Sequence, residues 1–291
     1  MFSKILVPLD GSSLAEQALP LARQFAEDRG AHLVFLRVVP YFTVLAADPL
    51  LYEEMNRLGE DEATAYLRRV RNELADPQST DLVCEVGSAA DSILQYAQNN
   101  DVDLILMSSH GRSGLNRWVY GSVAERIMSH APCPTLIVKA DHSTCHGIPE
   151  RMLVTLDGSE LAEKALPAAL ELAALGPELH LLRVTTSGHI RFETDAMAEV
   201  FTDIESDEVA QAQAYLQEQA GKLDIPDAKL AVEVTKSSIA EAIIAYAARE
   251  DIGLIVMSSH GRTGLQRWIY GSVAEKVLHT ARCATMIVRN I

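Results

Sequence analysis

Basic residues are scarce in this 291-residue chain: 25 lysines and arginines stand against 40 aspartates and glutamates, a formal net charge of −15. A surface of that sign repels phosphate backbones and anionic lipid. It excludes broad nucleic-acid or membrane binding and leaves room for a small anion only in a local pocket. Cysteine is scarce too. Cys84, Cys133, Cys145 and Cys283 form no C-x-x-C pair, so neither a zinc ribbon nor a dithiol redox site is indicated. Cys133 and Cys283 hold matching places before the last strand of each half and read as small buried residues. Long apolar runs are absent. The opening MFSKILVPLDG has one Lys and a short apolar stretch that meets Pro8 and Asp10, too short for a signal-peptide core or a membrane span, and a cytoplasmic protein is expected. There is no G-x-x-x-x-G-K-[S/T] loop, no pyrophosphatase-type S-G-G-x-D-S loop and no paired acidic cluster built for Mg²⁺, which argues against rapid phosphoryl or adenylyl chemistry.

What is present is a duplication. The composition, 48% hydrophobic and 22% charged, is that of a folded globular chain, and the length suggests about two domains. LVPLDGSSLAEQALPLA at 6–22 answers LVTLDGSELAEKALPAA at 153–169, and VFLRVVP at 34–40 answers HLLRVTT at 180–186. Between residues 107 and 125, sixteen of nineteen positions match residues 257–275, so both halves should share one fold. The expected division is domain one at 1–140, a linker at 141–149 (DHSTCHGIP) and domain two at 150–291.

Within each half, short apolar runs alternate with helical periodicity, the sign of βαβ units and a parallel sheet. Strand one is expected at 4–8. A helix follows from about Ser13, with Glu16 at capping-box spacing, and Pro20 and Pro167 predict a kink in it. Strand two is read at 32–38, a loop leading into a long polar-faced helix at 40–75, and strand three at 82–86. Ala90, Ile93, Leu94 and Ala97, repeated as Ala240, Ile243, Ile244 and Ala247, make the apolar stripe of the next helix. VDLILMS and IGLIVMS are continuous apolar runs, as expected of a strand covered on both sides. A helix beginning near Ser122 and a strand at 135–138 complete the half.

A glycine-punctuated loop between that fourth strand and the last helix can bring backbone N–H groups to an anion, and the helix start adds unpaired donors and partial positive charge. Gly111 and Gly121 stand where a side chain would obstruct close approach or where the chain needs positive φ. Ser122, with Glu125 three residues on, is placed to cap the helix, to contact a phosphate, or to alternate between the two. The glycines also fit plain turn chemistry, and the residues alone leave both readings open.

The loop resembles the signature of the universal stress protein family in its ATP-binding branch, G-x2-G-x9-G-[S/T]. Here it reads Ser108, Gly111, Gly121 and Ser122, then Ser258, Gly261, Gly271 and Ser272, with serine for the first glycine in both copies. VPLDGS and LRVV stand at the expected places, and the resemblance covers almost the entire chain as two domains in tandem. It implies two Rossmann-like, adenine nucleotide alpha hydrolase-like α/β domains, each a five-stranded parallel sheet of order 3-2-1-4-5 with helices on both faces. In that order strands one and four are neighbours where winding reverses, the place where ligands bind. By position, the resemblance implies ATP, with or without Mg²⁺, as ligand. Asp10 and Asp157 would accept from ribose hydroxyls, and Val38 and Val184 would lie against adenine. Pro8 would shape the first pocket, where the second half has Thr155. Gly111, Arg112, Ser113, Gly114, Ser122 and Val123 would surround the phosphates, as would Gly261, Arg262, Thr263, Gly264, Ser272 and Val273.

His110 and His260 have no carboxylate partner or nucleophile at a telling spacing and read as loop residues shaping the pocket. Arg117 and Arg267 read as solubilising charge, and Trp118 and Trp268 as packing under the loop or at an interface. Three functions stay open: a nucleotide-binding regulatory protein, an enzyme of slow ATP hydrolysis or adenylyl transfer in the same pockets, and a ligand-free assembly module. Pairing of the two halves, and a further homodimer through apolar edges such as TLIVK and TMIVR, are the expected assemblies.

Overall fold

The run Ile5–Leu6–Val7 is wholly buried while Lys4 and Pro8 at its ends are half-exposed, the pattern of a strand with sheet on either side and cover on both faces. The computed structural model describes residues 2–41, 49–74, 80–109, 121–139, 147–187, 195–259 and 271–289. They fall into two compact units, residues 1–148 and 149–290. The expected linker lies outside the described residues from 141 to 146.

In the first unit β1 (Lys4–Pro8) is followed by a 3₁₀ turn (Ala15–Ala18) and α1 (Leu19–Arg29). Then come β2 (His32–Val39), α2 (Pro49–Leu74), β3 (Thr80–Val86), α3 (Ala89–Asn99), β4 (Leu104–Ser108), α4 (Ser122–His130) and β5 (Thr135–Val138). All pairings are parallel, in the order β3-β2-β1-β4-β5. The second unit runs β6 (Arg151–Thr155), α5 (Glu160–Glu163), α6 (Leu166–Ala173), β7 (Glu178–Thr186) and α7 (Asp195–Lys222). It continues with β8 (Lys229–Thr235), α8 (Ile239–Arg249), β9 (Leu254–Ser258), α9 (Ser272–Thr280) and β10 (Ala284–Val288). Its sheet is likewise parallel, in the order β8-β7-β6-β9-β10. Each half therefore has the 3-2-1-4-5 order that puts its first and fourth strands side by side.

Strand three begins at Thr80, two residues before the apolar run that marks it in the sequence, because Thr80 is buried and pairs with Leu33. Strand two runs one residue further, to Val39. The helix after β1 is broken rather than kinked. Pro20 cannot donate into a preceding turn, so the 3₁₀ turn ends and α1 starts with Pro20 in its first turn; Pro167 does the same between α5 and α6. The expected cap at Ser13 is corrected as well: Ser12 is the capping residue, and Glu16 pairs with Arg69 of α2 at 2.8 Å instead of closing a capping box.

The base beneath the site is closely packed. Ile5, Leu6, Val7, Leu104, Ile105 and Leu106 are fully buried, as are Met152, Leu153, Val154, Ile255 and Val256 in the second unit. Each such side chain contributes about 1.5–3 kcal/mol by leaving water.

Candidate functional site

The chain leaves β1 through Leu9, whose amide bonds the Leu36 carbonyl at 2.8 Å, and turns at Asp10-Gly11-Ser12. Asp10 Oδ1 accepts the Ser12 amide at 2.9 Å and its hydroxyl at 2.6 Å, and Ser12 Oγ accepts the Ala15 amide at 3.1 Å. The aspartate is thus held by the start of the following helical segment. Gly11 sits at φ +86°, a conformation L side chains rarely adopt, so the turn needs its glycine. The second unit repeats every part: Asp157 Oδ1 accepts Ser159 N at 2.9 Å and Oγ at 2.6 Å, Ser159 caps α5 through the Ala162 amide at 3.2 Å, and Gly158 is at φ +86°.

The other wall leaves β4. Ser109 is 1% exposed, its amide bonds the Val138 carbonyl at 2.9 Å, and its carbonyl accepts the Gly121 amide at 3.4 Å. Ser259, Val288 and Gly271 make the same pair of bonds at 2.9 Å each. The two ends of the glycine loop are therefore tied together beside the end of the fourth strand.

The helix begins at Ser122, as expected, and Gly121 occupies the capping position, so the Ser122 hydroxyl does not cap α4 from there; Gly271 stands in the same place before α9. Ser122 and Ser272 are the first helical residues, with exposed side chains. Nor is positive φ the reason for the glycine: Gly121 has φ −61° and Gly271 φ −65°, extended values open to any residue. A Cβ built on Gly121 would meet no atom of the described residues within 4 Å. Among the described residues that space is clear, and the first N–H groups of α4 start beside it.

Between the two walls lies a pocket of about 280 Å³ in the first unit and about 360 Å³ in the second. Pro8, Asp10, Val38, Ser108, Gly121, Ser122 and Val123 line the first. Asp157, Val184, Ser258, Gly271, Ser272 and Val273 line the second, with Thr155 in the place of Pro8. His110, Gly111, Arg112, Ser113 and Gly114, their counterparts His260, Gly261, Arg262, Thr263 and Gly264, and Arg117, Trp118, Arg267 and Trp268 lie outside the described residues. The sequence reading missed Leu9, Ala15, Leu36, Ala89, Ile93, Met107, Ser109 and Ala124, whose counterparts Leu156, Ala162, Leu182, Ile239, Ile243, Met257, Ser259 and Ala274 line the second pocket position for position. Ile93 stood in the α3 stripe and was legible only as core. Ser108 is buried, and its hydroxyl has no hydrogen-bond partner among the described residues.

The arrangement combines an apolar wall, one carboxylate at a strand end and a helix start with glycine in the capping position. That is the composition of a site for a flat apolar group carrying hydroxyls and an anionic tail. Among the described lining residues Asp10 is the only carboxylate of the first pocket and Asp157 of the second. No group of three His, Cys, Asp or Glu among the described residues could hold a metal ion. Burial pushes the Cys133 thiol up to about 12, so it is no nucleophile at neutral pH. Tyr66 and Tyr215 are pushed well above the ordinary tyrosine value, first by burial and then by the glutamates beside them, Glu16 and Glu163. No helix among the described residues is long and apolar enough to cross a membrane.

With that geometry in view, the profile described as the universal stress protein family matches residues 1–139 and again 149–289. Universal stress protein MJ0531 of Methanocaldococcus jannaschii is 32% identical over 145 residues, 48% of this chain and 83% of its own length. Universal stress protein YxiE of Bacillus subtilis is 29% identical over 148 residues, 48% of this chain and 100% of its own. The crystal structure of a universal stress protein from Archaeoglobus fulgidus shares the fold at TM-score 0.68 and 20% identity, covering 99% of both chains. The chain belongs to the universal stress protein family, as two of its domains in tandem.

Proposed function

We propose that each unit is an adenine-nucleotide site and that the protein is regulatory, its ATP occupancy being the signal. The observation that carries the reading is the space at Gly121, clear among the described residues, at a helix start with glycine in the capping position and in one pocket with Asp10. Positive φ does not explain a glycine there, nor does packing against the described residues, and the approach of a phosphate does. Asp10 and Asp157 accept from the ribose hydroxyls, Val38 and Val184 cover the base, and the residues of the two loops with Ser122 and Ser272 surround the phosphates. One carboxylate per pocket is too few to cage Mg²⁺ without the nucleotide, so any Mg²⁺ rides on the phosphates.

Binding rather than turnover is favoured because the lone carboxylate of each pocket is already bonded to Ser12 or Ser159, leaving no second acid or base among the described lining residues to activate water. A nucleotide signals only through different affinity for two states of the protein, so ATP and ADP must stabilise it unequally. The cytoplasm as its location and a homodimer as its assembly complete the proposal.

Titration of ATP into the wild type and into a Gly121→Val, Gly271→Val double variant tests it. Both positions have φ values that valine accepts, so the variant folds, and its ATP affinity drops at least about a hundredfold because a side chain occupies the phosphate space. Undiminished binding in a folded double variant would sink the assignment.

A further inference from the structure

Arg183, on β7 next to the pocket-lining Val184, is wedged against the turn that carries Asp157. A Cβ on Gly158 would lie 3.2 Å from its Cζ and Nη2 and 3.3 Å from its Nη1; three nearly equal distances mean that the face of the guanidinium, not its edge, meets the turn. Its Cζ is also 5.0 Å from the ring centroid of Tyr215 on α7, within reach of a cation–π contact. The Tyr215 hydroxyl donates to Glu163 Oε1 at 2.9 Å, and Gln219 Nε2 donates to the same oxygen at 3.1 Å. Glu163 ends α5, the helix that Ser159 caps, and Ser159 holds Asp157. The chain of contacts therefore closes on itself: turn, arginine, tyrosine, glutamate, helix, serine, turn.

The first unit repeats the arginine, tyrosine and glutamate of this chain. Arg37 is 8% exposed with its Cζ 4.7 Å from the Tyr66 centroid. Arg69 lies 5.2 Å from the same centroid and bonds Glu16, the counterpart of Glu163, at 2.8 Å. Arg37 is buried and Arg183 half-buried, and a partly or fully buried arginine is costly to desolvate where a Leu or Met would fill the volume more cheaply, so its use at both places asks for a role.

We infer that Arg183 is a positioning residue for Asp157: stacked between turn and tyrosine, it fixes the carboxylate at the angle from which it grips the ribose, and Arg37 on Tyr66 holds the matching place for Asp10. The inference rests on the nucleotide reading above. It assigns ribose discrimination to a residue that touches no nucleotide, and it makes the long helix α7, through Tyr215, part of the site's support.

The test uses the full chain carrying Gly121→Val, so that only the second pocket reports, titrated with ATP and with 2′,3′-dideoxy-ATP. This background binds ATP at least about tenfold more tightly than the dideoxy analogue, the worth of a hydrogen bond to a charged group. Arg183→Met brings that ratio close to one and leaves the dideoxy affinity within about twofold of the background. Arg183→Lys keeps the charge but loses the planar face and gives the same collapse of the ratio, which keeps the test sharp if the methionine variant misfolds. Equal weakening of both ligands, the mark of a merely structural role, or an unchanged ratio overturns the inference while leaving the nucleotide site standing. A background that binds neither nucleotide overturns both.

Discussion

At the end of β6, Thr155 has an N–H and the strand stays paired with β9 through Val154 and Val256; at the matching end of β1, Pro8 has none and pairing with β4 stops at Leu6 and Ile105. A parallel ladder at that register draws on the amide of the following residue, and proline removes it. The two sheets therefore part at different depths at the switch point. Yet the Asp-Ser-amide bonds of the adjoining turn agree within 0.1 Å between the units. The turn is built by its own local bonds and not by the last rung of the sheet. Of the fifteen matched lining positions only two differ in residue type, Pro8 against Thr155 and Ala89 against Ile239.

The comparison breaks first if the cores are not equivalent. Ile105→Ala and Ile255→Ala, fully buried in matching strands, should each destabilise their own unit by about 2–5 kcal/mol, and by similar amounts. Denaturant-dependent hydrogen exchange of each sheet reads this, and a large disparity would show that the halves are not built alike. Next in size, Thr155→Pro removes the extra rung and should cost the second unit about 0.5–1.5 kcal/mol, the net worth of one hydrogen bond. Loss of protection confined to the β6–β9 end is the expected pattern, and a neutral outcome would mean that the rung contributes nothing.

The smallest effect is one of pH. His180, in the place of Val34, is 1% exposed, with Nδ1 3.0 Å from the Tyr246 hydroxyl and Nε2 3.3 Å from Glu178. Burial holds its pKa below the ordinary value; Lys229 adds to that, while the Glu178 and Glu250 carboxylates pull upward. The unfolded chain therefore takes the proton first. The contribution of this histidine is intact above about pH 6.5 and is lost as pH falls below it, in the second unit only. Protection factors of β7 should decline on acidification more than those of β2, and His180→Val should erase the difference.

Much of this architecture was legible because β4 and β9 are continuous apolar runs and the motif-bearing turns recur at fixed places. The site was legible in outline: its polar groups sit on turns whose residue types announce them, as in Asp-Gly-Ser. Its apolar wall was not. Ile93 and Ile243 obey the same 3.6-residue period as core residues, and periodicity cannot tell a side chain facing the sheet from one facing a pocket at the sheet's end. For Gly121 the sequence offered two reasons, close approach or positive φ, and the structure removes the second; a sequence does not separate a glycine needed for its φ from one needed for clearance. The stack of Arg183 on Gly158 and Tyr215 joins residues from three distant segments and had no local signal.

The central claim is that each unit holds its own nucleotide at the glycine before α4 or α9. Native mass spectrometry of the wild type and the Gly121→Val, Gly271→Val and double variants in excess ATP counts bound nucleotides directly. The account predicts two nucleotides per chain in the wild type, one in either single variant, and none in the folded double variant. The same nucleotide count in the double variant as in the wild type would contradict it.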